Sequence, residues 1–417
     1  MNELEKYGLC GERLSHSYSE IIHKMLGNNE YKLLSMTKEE FYNFFKNRSF
    51  NAVNVTIPYK TDAYALCDFL SDDAKDIGSV NTVVNKDGVL YGYNTDIFGF
   101  INMLSKAGIE INGKKVLILG TGGTSLTANA ACKRLCAAEI VTVSRSGKVN
   151  YENVYTDHAD AQVIINTTPV GMYPLNGVSP IDISRFPCLL GVADVIYNPS
   201  KTRLLIDAAK KGIKTAGGLS MLVAQAVEAD RIFFDKKNVD VEKTTSDILE
   251  KINSQTLSII LVGMPGCGKT TVGKLLAKKL NREFIDADEY LTQKESRSPE
   301  DIITGDGEAE FRKLETKTLE EITKLSGKVI SCGGGAVLSE YNRELIGQNS
   351  ICIYIMRDTE KLATNGRPLS QGGKEHLNKL FEKRDPLYKE CADFCVELCE
   401  NGEKCAQKII ERYGLEK

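Results

Sequence analysis

The sequence predicts an α/β protein, and three observations carry that expectation. From Leu257 to Thr271 the chain reads L-S-I-I-L-V-G-M-P-G-C-G-K-T-T, an apolar strand completed by the spacing G-x-x-x-x-G-K-[ST] at Gly263, Gly268, Lys269 and Thr270. From Lys115 to Ser125 a second apolar run, K-V-L-I-L, ends in the glycine turn G-T-G-G-T-S. Ahead of both, about a hundred residues alternate short strand-like runs with helix-like runs, as an α/β layer requires.

Bulk properties set the frame. At 417 residues the chain exceeds one ordinary core, and length predicts two to four domains. With 42% apolar and 26% charged residues the composition is globular. Lys and Arg number 53 against 56 Asp and Glu, a net charge of −3, which argues against nucleic acid or an anionic membrane as partner. Met1 to Lys6 contain no basic region followed by an apolar one, and no run approaches the ~18 apolar residues of a membrane span. A soluble, cytoplasmic protein acting on small molecules is expected, and an oligomer is compatible with this composition. The 12 cysteines form no C-x-x-C pair. Cys391, Cys395 and Cys399 are spaced as on one helix face, a metal or redox arrangement, but reduced buried thiols are the stronger expectation.

In chain order, Tyr7-Gly8-Leu9 leads through Ser15-His16-Ser17-Tyr18-Ser19 into a helix over Glu20 to Leu26. Serines there are ordinary helix caps unless a ligand claims them. Ala52 to Lys60 is a strand stopped by Pro58, with a helical stretch from Thr61 to Leu70 behind it. Ser79 to Val84 and Gly92 to Asp96 place small polar side chains at the ends of apolar runs, where open α/β sheets put their ligands. The helix after the Gly120 turn carries Ala128, Ala131 and Leu135, and Ile140 to Val143 is the next strand, which makes half a dinucleotide-binding fold. That strand ends in Ser144-Arg145-Ser146, with Lys148 nearby. Arginine suits a ribose 2′-phosphate where an acid would suit a free hydroxyl, so NADP is expected over NAD. Further strands with polar ends follow at Ala161 to Met172 and Val192 to Tyr197, and Gly217 opens a helix that carries Gln225. After Phe234 the chain turns polar, which places a linker over about 236–256.

The loop after Leu257 binds phosphate for a physical reason. Glycines let backbone N–H groups turn inward around an anion, and the helix that follows, with Val272, Leu275, Leu276 and Leu280 on one face, points its positive end there.

At this point the residues carry a resemblance over nearly the whole chain. Residues 1 to about 235 resemble shikimate dehydrogenase through S-H-S-Y-S at Ser15, N-V-T-I-P-Y-K at Asn54, N-T-D at Asn94, the Gly120 turn, N-T-T-P-V-G-M at Asn166 and G-G-L-S-M-L-V-A-Q-A at Gly217. Residues from about 256 onward resemble shikimate kinase. The resemblance implies a substrate-binding α/β domain over 1–100, to which the helix near 218–235 returns. A Rossmann NADP domain over 101–235 and a P-loop kinase domain with a parallel sheet over 257–417 follow. It implies NADPH-dependent reduction of 3-dehydroshikimate to shikimate, then ATP- and Mg²⁺-dependent phosphorylation to shikimate 3-phosphate. A quinate-type or NAD-preferring dehydrogenase, or one half serving as a binding module, is the alternative.

For the first reaction the resemblance implies Lys60 and Asp96 as the catalytic pair, the lysine supplying a proton to the oxygen that receives hydride's charge. It implies Ser17, Ser19, Thr56, Asn81, Tyr197 and Gln225 as substrate-binding, and Gly120, Gly122, Gly123, Arg145 and Gly218 as cofactor-binding. For the second it implies Gly263, Gly266, Gly268, Lys269, Thr270 and Thr271 around the nucleotide, with Thr270 and Asp286 on the metal and Asp288 on the attacking hydroxyl. Asp286 and Asp288 are two apart, so a strand would face them the same way. Arg312 and Arg384 match the clamp on the substrate carboxylate, Gly333, Gly334 and Gly335 the backbone that approaches the substrate, and Arg367 the lid over the transferred phosphoryl group. Three departures from the family stand out: Ile97 replaces the usual glycine after N-T-D, too little chain separates Arg145 from Ala161 for the usual crossover helix, and the lid over Lys361 to Asn365 is short.

Overall fold

A computed structural model describes residues 7–14, 18–362, 373–398 and 401–412. The chain divides into two compact units, Met1–Glu250 and Lys251–Lys417.

The first unit holds two sheets. Strands β1 (Tyr7–Gly11), β2 (Tyr31–Ser35), β3 (Ala52–Val55), β4 (Phe69–Leu70), β5 (Thr82–Lys86) and β6 (Val89–Tyr93) form one, in the order β2-β1-β3-β5-β6-β4. β3 meets β5, and β5 meets β6, antiparallel, while the other pairs are parallel. Local chemistry sets the elements. The helix Lys38–Asn47 starts at a Thr37–Glu40 capping box and buries Phe41 and Phe45, one turn apart, in the core. The helix expected over Thr61 to Leu70 is Lys60–Leu66, and Phe69–Leu70 instead adds an edge strand beside β6.

Strands β7 (Lys115–Leu119), β8 (Glu139–Val143), β9 (Val163–Asn166), β10 (Gly191–Asp194) and β11 (Lys214–Gly217) form the second sheet, all parallel, in the order β11-β10-β9-β7-β8. Val116 to Leu119 and Val163 to Ile165 are buried on both faces, as expected of central parallel strands. β8 is a sheet edge, and between it and β9 stands a single four-residue turn of helix, Val154–Asp157. The long helix Gly218–Phe233 leaves this sheet, packs along Asp96–Lys106 and reaches Tyr18–Met25.

The polar stretch expected as a linker is largely helical, over Val241–Thr256. Ile248 and Ile252, one turn apart, are buried and give it a packed face that its polar composition hides.

In the second unit, β12 (Ser258–Val262), β13 (Phe284–Asp286), β14 (Val329–Ser331), β15 (Ser350–Met356) and β16 (Phe394–Glu397) build a fully parallel sheet in the order β13-β14-β12-β15-β16. β12 is central and buried throughout, so the loop after it leaves from the middle of the sheet's carboxyl edge. Cys391 ends the helix Gly373–Cys391 whereas Cys395 lies in β16, so the two do not share a helix face; Cys399 lies outside the described residues. Among the described residues no cluster of three or more His, Cys, Asp or Glu could hold a metal, and no helix is long and apolar enough to cross a membrane.

Candidate active sites

The first unit has a cavity of about 530 Å³ where the ends of β1, β3 and β5 meet the helix Gly218–Phe233. Lys60 and Asp96 line it from the first turns of two helices, Lys60–Leu66 and Asp96–Lys106. A carboxylate in the first turn of a helix is favoured by the backbone dipole. Lys60 Nζ lies 2.5 Å from Asp96 Oδ2, and both groups are partly buried. The other oxygen, Oδ1, accepts from Asn81 Nδ2 at 2.9 Å, so the carboxylate is held from two sides and in turn holds the lysine. Ser19, Thr56, Asn81, Tyr197 and Gln225 line the same cavity. The Tyr197 ring meets Tyr18 edge-on, with centroids 5.7 Å apart, and burial raises its phenol above the ordinary value. Ser17 lies outside the described residues.

Several residues that build this site stand in or beside the quoted motifs but are assigned no site role by the sequence. Asn54, a polar residue inside the apolar strand A-V-N-V, is buried, accepts from Tyr31 OH at 2.8 Å and donates to the Asn81 carbonyl at 3.2 Å. The Thr95 N–H donates to Asn81 Oδ1 at 2.7 Å and thereby sets the Asn81 amide. Gly99 lets two helices touch: a Cβ there would stand 2.5 Å from the Met221 carbonyl and 2.9 Å from Gln225 Cβ. A polar residue in an apolar strand and a glycine in an apolar helix were the available signals. Ile97 is buried in the core beside Phe100 and Met103, so its side chain turns into the protein rather than into the cavity.

At the carboxyl end of β7, Gly120 takes φ 106° and packs against Thr167 and Thr168. A Cβ on Gly122 or Gly123 would meet nothing within 4 Å, which leaves open space over the start of the helix Gly123–Arg134 for a phosphate. Arg145 is exposed just beyond β8, near Tyr151. Gly218 has a packing reason of its own: a Cβ there would stand 2.0 Å from the Val195 carbonyl oxygen.

The second unit has a cavity of about 340 Å³ that brings together Gly266, Lys269, Thr270, Asp286, Asp288, Arg312, Gly333, Gly334, Gly335 and Arg384. Gly263, Gly266 and Gly268 all take positive φ, the conformation that turns the loop's N–H groups inward. Lys269 Nζ is buried and donates to the carbonyls of Gly263 and Met264 at 3.0 and 3.1 Å. Thr270 and Thr271 follow it in the first turn of the helix Lys269–Leu280. Thr270 Oγ1 donates to Asp286 Oδ2 at 2.9 Å. Contrary to the expectation from their spacing, Asp286 and Asp288 do not lie on one strand. β13 ends at Asp286, which caps the helix Ala287–Glu295 by accepting the Asp288 N–H at 3.1 Å, so a cap rather than strand alternation brings the two carboxylates to one cavity.

Arg312 donates to Glu315 at 2.8 Å and to Glu308 at 2.9 Å. Burial pushes the Glu315 carboxyl above its usual value, and the Arg312 guanidinium pulls it back. Glu315, three residues after Arg312 on one helix, is the residue the sequence reading missed; its i,i+3 spacing was the signal. Arg384 is buried and donates to the Gly334 carbonyl at 3.2 Å, a carbonyl that also accepts from Tyr388 OH. The Nε atoms of Arg312 and Arg384 are buried with no partner among the described residues. Both guanidinium groups line the cavity, and an arginine pair of this kind suits an anionic ligand. Arg367 lies outside the described residues.

Gly335 makes this geometry testable, because a Cβ there would stand 2.3 Å from Arg312 Nη1. In Gly335→Ala the guanidinium must move, and since charged hydrogen bonds contribute about 1.5–3 kcal/mol, KM for an anionic substrate of this cavity should rise roughly ten- to a hundredfold. Steady-state kinetics check this; an unchanged KM removes Arg312 from the substrate clamp.

Residues 265–413 match the family model for shikimate kinase, and residues 9–83 that for the shikimate dehydrogenase substrate binding domain. Over 253 residues, 55% of this chain and 92% of the relative, the chain is 38% identical to the shikimate dehydrogenase (NADP(+)) of Clostridium beijerinckii. A crystal structure of shikimate dehydrogenase 1 from Peptoclostridium difficile superposes with a TM-score of 0.53 at 36% identity, over 59% of this chain and 97% of the other. The shikimate 5-dehydrogenase of Thermus thermophilus, solved with NADP(H) and shikimate, gives a TM-score of 0.51 at 29% identity, over 58% of this chain and 98% of the other.

Proposed function

Because the chain belongs to the shikimate dehydrogenase family and carries a shikimate kinase domain after it, a bifunctional enzyme of the shikimate pathway, we propose that it performs two consecutive steps. The first reduces 3-dehydroshikimate to shikimate with NADPH, and the second transfers a phosphoryl group from ATP to shikimate. The observation that carries this reading is the pair of separate cavities, each with its own charged machinery.

In the first cavity the cofactor, when bound, supplies hydride to the substrate's ketone carbon. The ketone oxygen then needs a proton, and Lys60 Nζ is the group that gives it, while Asp96 fixes the ammonium in position. Neutral polar side chains at Thr56, Asn81 and Gln225 suit a polyol ring. The open Gly122–Gly123 turn fits a diphosphate, and Arg145 fits a 2′-phosphate, consistent with the NADP named for relatives.

In the second cavity Asp288 is placed to orient and accept the proton of the attacking hydroxyl, and Arg312 and Arg384 to hold the carboxylate. Thr270 and Asp286 offer two hard oxygens beside the phosphate loop, which fits Mg²⁺ because that ion takes few protein ligands and completes its shell with phosphates and water. The bound ion would neutralise phosphate charge. Lys269 must exchange its loop carbonyls for phosphate oxygens when ATP enters.

Purified full-length protein given 3-dehydroshikimate, NADPH, Mg²⁺ and ATP should form shikimate 3-phosphate. Accumulation of shikimate alone removes the kinase half of this reading, and absence of any NADPH oxidation removes the dehydrogenase half.

A further inference from the structure

At the edge of the dehydrogenase cavity, a buried carboxylate ties together two segments that the reaction must keep in register. Asp194, the last residue of β10, is fully buried. Its Oδ1 accepts from the Ile196 N–H at 3.0 Å and from Asn166 Nδ2 at 3.1 Å, and its Oδ2 accepts from the Thr202 hydroxyl at 2.7 Å. These donors are all neutral, and burial pushes the acid up to about 6 while the hydrogen bonds pull it down. A carboxylate buried without a cation is costly next to an apolar residue of the same size, so packing alone does not account for it.

Two branches leave this node. On the cofactor side, Asn166 Oδ1 accepts from the Thr168 N–H at 3.0 Å and from its hydroxyl at 2.7 Å, and the Thr168 methyl lies 3.0 Å from where a Cβ on Gly120 would stand. On the substrate side, the bond to the Ile196 N–H fixes the turn between Val195 and Tyr197, both of which line the cavity. The same turn receives the start of the helix that carries Gln225, through the Gly218 N–H to the Ile196 carbonyl at 3.1 Å.

We propose that Asp194 is a positioning residue of the dehydrogenase: through Asn166 and Thr168 it supports the Gly120 turn, and through Ile196 it sets the Tyr197 wall, so that cofactor and substrate are held in register. This rests on the dehydrogenase reading above. Asp194 itself touches neither ligand.

Steady-state kinetics on the full-length chain, with both activities measured, test it. Asp194→Leu keeps the side chain's size and removes the acceptors for the Ile196 N–H, Asn166 Nδ2 and the Thr202 hydroxyl together. KM for NADP⁺ and KM for shikimate should both rise about tenfold, with kinase activity unchanged. Thr168→Val keeps the branched shape and weakens the cofactor branch, removing the hydroxyl's bond to Asn166 and the one it accepts from the Val170 N–H while leaving the substrate branch intact. It should raise KM for NADP⁺ several-fold and leave KM for shikimate alone, and it decides the matter if Asp194→Leu fails to fold. A wild-type chain that oxidises no shikimate overturns the dehydrogenase reading and this inference with it. A competent wild type whose variants keep both KM values, losing only kcat or melting temperature, overturns this inference alone.

Discussion

Lys60→Ala is expected to lower kcat of the NADP-linked reaction by ~10²–10⁴-fold, the range over which a positioned acid or base contributes, while phosphorylation of shikimate continues at the wild-type rate. The size of the effect follows from the geometry. Nζ is the cationic donor that Asp96 fixes at 2.5 Å, and the Asp96 carboxylate is itself held by Asn81. Removing the amine leaves a partly buried carboxylate with one partner fewer, beside an oxygen that must gain charge and then a proton. The pair should therefore behave as a unit, with Lys60→Ala and Lys60→Ala/Asp96→Asn giving nearly equal losses. Separate assays of NADPH oxidation and ADP release on one preparation check both statements. Loss of both activities with the fold intact would contradict two independent sites.

How much of this is legible in the sequence depends on the kind of signal. The phosphate loop and the Gly120 turn can be read because each needs glycine where the backbone takes a conformation other residues resist, and Gly263, Gly266, Gly268 and Gly120 all take positive φ. Lys60 and Asp96 can be assigned as a pair only through resemblance, since 36 positions separate them and spacing says nothing about contact across two helix starts. Tertiary polar contacts are the least visible. Asn54 and Thr95 matter through partners that the fold brings together, and nothing in their local sequence names those partners, whereas Glu315 meets Arg312 three residues away on one helix. Asp286 and Asp288 line one cavity, but a helix cap, not the strand alternation expected, puts them there. The boundary between the two units, Glu250–Lys251, falls in the polar stretch expected as a linker, but its helix Val241–Thr256 is not legible because polar composition masks an apolar pair one turn apart, Ile248 and Ile252.

The reciprocal substitution should separate the two chemistries from the other side. Asp288→Asn preserves the side chain's shape and the backbone N–H bond by which Asp286 caps the helix, so the cavity should keep its form. What it removes is the charge that orients the attacking hydroxyl and receives its proton. A loss of ~10²–10⁴-fold in kinase kcat is therefore expected, with KM for shikimate changed far less because Arg312 and Arg384 remain. Asp286→Asn should differ in kind. That carboxylate bonds the Thr270 hydroxyl at 2.9 Å, where a metal would sit, so its loss should appear as a raised Mg²⁺ requirement that excess Mg²⁺ partly restores. Titrating Mg²⁺ against both variants distinguishes the roles. If excess Mg²⁺ rescued Asp288→Asn as well as Asp286→Asn, Asp288 would belong to the metal rather than to the hydroxyl, and the kinase mechanism would need a different base.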